Sequence, residues 1–310
     1  MPDSAHILHA RNLTLDCRLP VHGGAHVMGV LNVTPDSFSD GGAYLDPVVA
    51  TRRAREMTAE GARLIDIGGA SSRPKGAAYG KGAALVSAKE ELRRILPVIE
   101  SVAAALPDIW ISVDTFRADV ARAALTAGAH MINDITGLRF APELARACAD
   151  HDAPLVLMHS VGMPGDMPHV VESPDVVETV CHELGRAVAV ARQAGCRQLV
   201  LDPGFGFGKT HEGNFRLLSG VSALRQEDLP VLIGVSRKSS IGWASRSGEH
   251  DPLPPPEDRL PGSLAAAGVA VQHGASLVRT HDVAATVHYL RTLDHGLHPG
   301  ADNPGTAGQN

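Results

Sequence analysis

Aromatic residues are scarce: six Phe, three Tyr and two Trp make up 4 % of 310 residues. Stacked rings therefore cannot fill the interior, and a core of Ala, Val, Leu and Ile is expected. Cysteines number only four (Cys17, Cys148, Cys181, Cys196), with no C-x-x-C spacing. That excludes a disulfide scaffold and fits free thiols in a reducing compartment. A basic excess is also missing, since 28 Lys and Arg stand against 34 Asp and Glu for a net charge of −6, so nucleic acid is not an expected partner. No apolar run reaches the roughly 18 residues that cross a bilayer. The first residues, Met1 to His6, show no basic stretch leading into an apolar one. Neither membrane association nor export is expected, and the expected location is cytoplasmic.

What the sequence has is glycine and proline, 32 and 21 residues, and a repeated punctuation. Four segments run from a helix-like stretch through a glycine into an apolar strand that ends on a polar residue: Glu60–Asp66, Ala127–Asn133, Ala194–Asp202 and His273–Arg279. Glycine suits the left-handed position that ends a helix. A continuous apolar strand suits a parallel sheet buried on both faces. Extending the pattern gives strands at about 26–31, 63–67, 109–113, 130–133, 154–158, 198–201, 230–234 and 276–279. Helix-like runs follow near 46–60, 87–105, 117–127, 141–150, 172–194, 212–219, 260–273 and 282–294. Helix starts are signalled by the capping box Ser87–Glu90 and by Asp46-Pro47 and Ser173-Pro174. Eight alternating units favour a single-domain α/β fold, a (β/α)8 TIM barrel, over an open doubly wound sheet. Residues 1–24 are expected to form a hairpin capping the barrel, 25–295 the barrel, and 296–310 a disordered, Gly-rich tail.

Barrel chemistry gathers at the C-terminal ends of the strands. Those tips carry Asn32, Asp66, Asp114, Asn133 with Asp134, His159, Asp202, Ser236 to Ser239, and Arg279 with His281. Polar tips commonly cap the next helix, and Asp114 and Asp282 read that way singly. Eight together, with acceptors and amides facing Arg73, Lys238 and Arg279, suit a flat polar heterocycle beside an anion. Several familiar motifs fail. Gly204–Thr210 resembles a phosphate-binding loop, but Pro203 stands where the pattern needs its first glycine. The 16 histidines include no H-E-x-x-H, and no G-x-S-x-G elbow is present.

At the tips the chain resembles the dihydropteroate synthase family. The matching segments are Met28–Gly42, Asp66–Gly69 with Ser72-Arg-Pro74, Ser112–Thr115, Ile132–Gly137, Leu157–His159, Leu201–Lys209, Gly234–Ser239, Pro261–Ser263 and Arg279–Asp282. The resemblance implies an enzyme of the transferase class that joins 6-hydroxymethyl-7,8-dihydropterin diphosphate to p-aminobenzoate, releasing pyrophosphate. It implies pterin binding by Asp114, Asn133, Asp202, Lys238, Met158, Phe207 and Gly234, with Asp114, Lys238 and Arg73 catalytic. Diphosphate would meet Asn32, Arg73, Arg279 and His281, with Asn32 a ligand to Mg²⁺. The p-aminobenzoate site would take Phe38, Ser72, Arg73, Pro74, Lys238 and Ser239, with loop 34–42 as a lid and Phe205 and Phe207 near the pterin. A homodimer through barrel helices is implied by the same analogy.

One segment departs from the family's pattern. Ala70-Ser-Ser-Arg-Pro-Lys75 stands where Glu-Ser-Thr-Arg-Pro-Gly is usual, and the loop runs on through residues 75–85. This loop belongs to the p-aminobenzoate half of the site, so altered sulfonamide sensitivity is expected, read as an inhibition constant unlike that of ordinary family members. Two alternatives share the pterin-reading residues: a methyltetrahydrofolate–corrinoid methyltransferase, which has no diphosphate to hold, and a non-catalytic pterin-binding paralogue. The Ser-Arg-Lys-Ser and Arg-x-His groups favour the synthase.

Overall fold

The computed structural model describes residues 6–19, 24–34, 46–70, 86–162, 173, 175–248 and 250–299. It opens with an antiparallel hairpin of β1 (Ile7–Ala10) and β2 (Leu13–Asp16). Strands and helices then alternate: β3 (His26–Asn32), α1 (Pro47–Ala59), β4 (Leu64–Gly68), α2 (Ala88–Ala105), β5 (Trp110–Asp114), α3 (Ala118–Ala127), β6 (Met131–Asp134) and α4 (Glu143–Asp150). They continue as β7 (Leu155–Met158), α5 (Val176–Gln193), β8 (Leu199–Asp202), α6 (His211–Ser219), α7 (Val221–Leu224), β9 (Leu232–Gly234) and α8 (Ser239–Ala244). The last elements are α9 (Leu260–Gln272), β10 (Leu277–Thr280) and α10 (Val283–Leu297).

The strand order β8-β7-β6-β5-β4-β3-β10-β9 is parallel throughout. Its edges meet where Leu201 bridges Val231 and the Leu201 N–H donates to Pro230 O at 2.9 Å. The sheet is therefore a barrel and not an open sheet. Glycine explains the repeated punctuation: Gly61, Gly128, Gly195 and Gly274 lie at φ 106, 126, 90 and 108°, ending α1, α3, α5 and α9 in a conformation that a side chain would strain.

Period-two alternation sorts each strand into an outer and an inner face. Outward residues pack under the helices in an aliphatic core. The lowest inward layer takes one residue from each barrel strand: Met28, Leu64, Trp110, Met131, Val156, Val200, Leu232 and Leu277. Leu8, Ala10, Leu15 and Cys17 from the hairpin region pack against this layer and close the barrel floor. Two residues further along each strand the same face turns polar. It carries Asp66, Ser112, Asn133, Asp202 and Arg279, with Val30, Met158 and Gly234 between them. A third layer adds Asn32 and Asp114. One parity thus builds a dry floor and a polar mouth.

The helix starts agree in part. Asp46 Oδ1 accepts from Val48 N at 2.8 Å, and Ser87 Oγ from Glu90 N at 3.2 Å. The Glu90 carboxylate, however, binds Arg93 and Arg94. The fifth helix begins at Val176, capped by Asp175, which accepts from Glu178 N, and not at Ser173, whose hydroxyl bonds Thr179 instead. In the proline-rich loop, buried Arg259 donates to Pro254 O at 2.8 Å and to Arg237 O at 3.0 Å, which ties the loop to the barrel rim. The tail expected from 296 overlaps α10, which reaches Leu297, and residues 300–310 lie outside the described residues. Among the described residues, no helix is long and apolar enough to cross a membrane.

Candidate active site

The polar layer is wired from β4 to β10. Asp66, fully buried, accepts from Asn133 Nδ2 at 3.1 Å and from Arg279 Nε at 2.7 Å through the same oxygen, Oδ2. Arg279 also reaches Asp114 Oδ2 at 3.4 Å. Among the described residues, three buried polar atoms on this wall have no hydrogen-bond partner: Asp66 Oδ1, Ser112 Oγ and Asn133 Oδ1. They belong to consecutive strands β4, β5 and β6, so the barrel offers two acceptors and a hydroxyl side by side. Buried polar groups rarely go unpaired, and these three lie beneath the mouth, in the layer that also carries Asp202 and Arg279.

Burial pushes the Asp114 carboxyl up to about 7, with Arg279 opposing the rise and Asp66 adding to it. Burial also works against the Arg279 charge, but Asp66 and Asp114 outweigh it and hold its pKa above the ordinary arginine value. Asp202 is raised by burial, with Lys238, the Gly204 N–H and Lys209 opposing. Its Oδ1 accepts from Gly204 N at 2.7 Å. Lys238 is lowered to about 7 by burial despite the attraction of Asp202. The Lys238 ammonium donates to Phe205 O and sits 4.3 Å from the centre of the Phe207 ring. A Cβ added at Gly234 would lie 3.8 Å from Arg279 Cβ and 3.9 Å from Lys238 Nζ. The glycine thus leaves a flat stretch of wall between the two cations.

At the β10 tip, the His281 ring contacts Ser236 Oγ at 3.1 Å, and burial followed by the Arg279 and Arg237 charges lowers it to about 4. His281 is therefore a neutral hydrogen-bonding imidazole at pH 7. A cavity of about 490 Å³ opens here, lined by Asn32, Arg237, His281 and Asp282 together with Arg53 and Glu56 of α1. Ser239 begins α8 directly after Lys238. Asn32 offers one amide oxygen at this rim, and among the described residues no group of three His, Cys, Asp or Glu is positioned to hold a metal ion. A neutral amide oxygen is a weaker anchor than the one or two carboxylates that ordinarily hold Mg²⁺, so an ion at this rim would depend on waters and phosphate oxygens for most of its ligands.

The structure therefore gathers Asn32, Asp114, Asn133, Met158, Asp202, Phe207, Gly234, Lys238, Ser239, Arg279 and His281 around one mouth. Phe38, Ser72, Arg73 and Pro74 lie outside the described residues, as do residues 35–42 of the loop 34–42 expected to act as a lid and the departure from Ser71 to Leu85. Several sequence expectations change. Asp114 does not cap α3, which starts after Arg117. Asp282 makes no side-chain cap to α10; its carboxylate accepts from Arg237 Nε at 2.9 Å. Asp134 binds Thr136 and Leu138 backbone N–H groups within its own turn. His159 faces outward, with Nε2 3.1 Å from Glu183 Oε2 on α5. Phe205 is fully buried edge-on against Phe215 in the aliphatic core, not at the mouth. Asp66 was visible as a strand tip, yet its part in holding Arg279 and Asn133 depends on contacts between distant segments.

The sequence profile of the pterin binding enzymes matches residues 28–281. The chain is also 42 % identical over 292 residues to the dihydropteroate synthase of Escherichia coli (strain K12), covering 94 % of this chain and 96 % of that protein. The chain belongs to the dihydropteroate synthase family. Among solved structures, the Xanthomonas albilineans dihydropteroate synthase with 4-aminobenzoic acid is 43 % identical and superposes with a TM-score of 0.80 over 94 % of this chain and 98 % of that one. The Yersinia pestis dihydropteroate synthase in complex with a sulfonamide drug is 41 % identical, with a TM-score of 0.83 over 94 % and 99 %. Members of the dihydropteroate synthase family are transferases, and this chain is an enzyme of that class.

Proposed function

We propose that the chain condenses 6-hydroxymethyl-7,8-dihydropterin diphosphate with p-aminobenzoate, forming 7,8-dihydropteroate and pyrophosphate. The observation that carries the assignment to these residues is the Asp202–Lys238 pair, with Lys238 over the Phe207 ring, set in the same inward polar layer as Asn133 and Arg279. A pterin's amino-pyrimidine edge is a line of donors and acceptors, and a carboxylate or amide meets it through parallel bonds. Asp202 and Asn133 read that edge in this account. Lys238 holds the carbonyl side over Phe207, and Met158 and Gly234 give the ring its flat surface.

Arg279, His281 and Arg73 then hold the diphosphate. When the methylene carbon–oxygen bond breaks, the electron pair leaves with pyrophosphate and positive charge develops on the carbon. The ionised Asp114 carboxylate faces that charge, and preorganised opposite charge is the largest single term in many enzymes. The p-aminobenzoate nitrogen attacks the carbon and loses a proton, while Phe38, Ser72, Arg73, Pro74, Lys238 and Ser239 take the rest of that substrate. Mg²⁺, held with the help of Asn32, would neutralise charge on the departing diphosphate.

The same reading carries the division into cap, barrel and tail, a cytoplasmic location and a homodimer. The four cysteines are all free, as a reducing compartment would leave them. Helix α9 has no charged residue between Leu260 and Gln272 and leaves Val269 38 % exposed, which supports pairing through barrel helices.

The pH profile follows from two groups. Asp114 must be ionised and titrates at about 7; Lys238 must be charged and also titrates at about 7. The acid limb loses the carboxylate and the alkaline limb loses the ammonium. A narrow bell of kcat/KM centred near neutrality is expected, and a rate flat from pH 5 to pH 9 would contradict the assignment of both groups. The reaction itself is tested by a coupled pyrophosphate assay with pterin diphosphate, Mg²⁺ and p-aminobenzoate. Pyrophosphate release that depends on p-aminobenzoate is expected, and its absence at saturating substrates would remove the synthase reading.

A further inference from the structure

One buried cation has no role in the reaction as described. Lys209 is 6 % exposed and ends the glycine-rich segment after β8. Its ammonium donates to Gly204 O at 2.8 Å, Phe207 O at 3.0 Å and His159 O at 3.2 Å. An ammonium has three donors, and each has a carbonyl here. Two of those carbonyls lie within the loop and the third just past the end of β7, so the side chain fastens the loop after β8 to the tip of the neighbouring strand.

The fit around it is close. Gly204 lies at φ 67°, and a Cβ there would come within 1.7 Å of His159 O and 3.2 Å of Lys209 Nζ. At Gly208, φ 73°, a Cβ would come within 2.7 Å of Val161 Cβ. With the carbonyls turned in toward Lys209, other groups of the loop face the mouth. Gly204 N–H meets Asp202 Oδ1, Phe205 O receives the Lys238 ammonium, and the Phe207 ring lies under it. Gly206 adds a constraint, since a Cβ there would strike Lys238 Cδ at 2.8 Å. Asn214 on α6 fastens the far side, its Oδ1 accepting from Gly206 N at 2.6 Å.

We propose that Lys209 is a positioning residue for the pterin half of the reaction. Its buried ammonium folds residues 203–207 into the one shape that aims Asp202, Lys238 and Phe207 at the same ring. This rests on the pterin reading above and adds a residue to it. The positive charge matters as well as the geometry. Burial lowers Lys209 to about 7, and the attraction of Asp202 is what keeps its charge near neutral pH. Lys209 and Asp202 therefore support each other across the loop without touching the substrate from the Lys209 side.

The test compares two affinities in Lys209→Met, which keeps an unbranched side chain one atom shorter and removes its donors. Calorimetry would measure 6-hydroxymethylpterin and, separately, pyrophosphate with Mg²⁺, which meets the β10 rim and not this loop. Pterin affinity should fall by about tenfold or more, the scale of one buried hydrogen-bonded contact, while pyrophosphate affinity should stay within about twofold. KM for the pterin diphosphate should rise with it. If Lys209→Met does not fold, Lys209→Gln, which keeps two N–H donors and no charge, should show the same split. Pterin affinity unchanged in a folded variant overturns the inference, and so does an equal loss of both ligands, which would mark a merely structural residue. If the unsubstituted protein binds pyrophosphate but no pterin, the parent reading fails, and this inference with it.

Discussion

Replacing Asp202 by Ala should remove pterin binding from the calorimetric range and lower kcat/KM at least about 100-fold, the loss of two charge-assisted hydrogen bonds in a dry site. The protein should still fold. Asp202 is the countercharge that raises both Lys209 and Lys238 against the effect of burial. Both already titrate at about 7, so without the carboxylate they shed protons near neutrality and no stranded charge remains. The stability cost is then the lost bond to Gly204 N and its neighbours, about 1–3 kcal/mol, read from urea denaturation. Asp202→Asn, which keeps the shape and one acceptor, should fall between the two proteins. An Asp202→Ala variant with unchanged pterin affinity would show that the ring lies elsewhere.

Arg279→Met should be costly in a different way. It leaves Asp66 and Asp114 on adjacent strands without their shared guanidinium, and breaking a buried pair by removing one partner costs about 3–5 kcal/mol. Catalysis should fall about 1000-fold, since the diphosphate loses a cation and Asp114 loses the charge that keeps its carboxyl from rising further. The sign of the pH dependence is fixed. Asp114 already has a folded pKa above its unfolded value, so it destabilises the fold as pH rises through that folded pKa. Without Arg279 its carboxyl is pushed higher still, and the ionised form becomes costlier. The deficit in Tm should therefore be greater at pH 8 than at pH 5. A second substitution, Asp66→Asn, should restore much of the stability and none of the activity. A Tm deficit independent of pH would contradict the wiring.

The barrel was legible because its signals are local. Glycines at 61, 128, 195 and 274 mark helix ends through backbone conformation alone, and all four adopt it. The mouth was legible because a polar residue stands where each apolar strand runs out, and the structure adds the parity that selects among them: Leu64 with Asp66, Met131 with Asn133, Val200 with Asp202 and Leu277 with Arg279 share the inward face. The same parity turns the neighbouring polar residues outward. His159 and Asp134 stand one residue out of phase, and both face away from the mouth. Asp282 has the sequence position of a cap, but Arg237, 45 residues away, claims its carboxylate. Phe205 and Phe207 are alike in sequence, yet the first fills the core beside Phe215 and the second lies under Lys238. Lys209 belongs to the same class: its value comes from three carbonyls collected by the fold.

One inner wall, Asp202 and Asn133 with Lys238 over Phe207, is proposed to hold the pterin. A crystal structure with 6-hydroxymethylpterin bound tests it most directly. The amino-pyrimidine edge should lie within hydrogen-bonding distance of the Asp202 carboxylate and the Asn133 amide, with the methylene carbon turned toward Asp114 and Arg279. A pterin seated instead in the outer groove lined by Phe215, Arg216 and Trp243, or one whose amino edge faces Arg279, would contradict it.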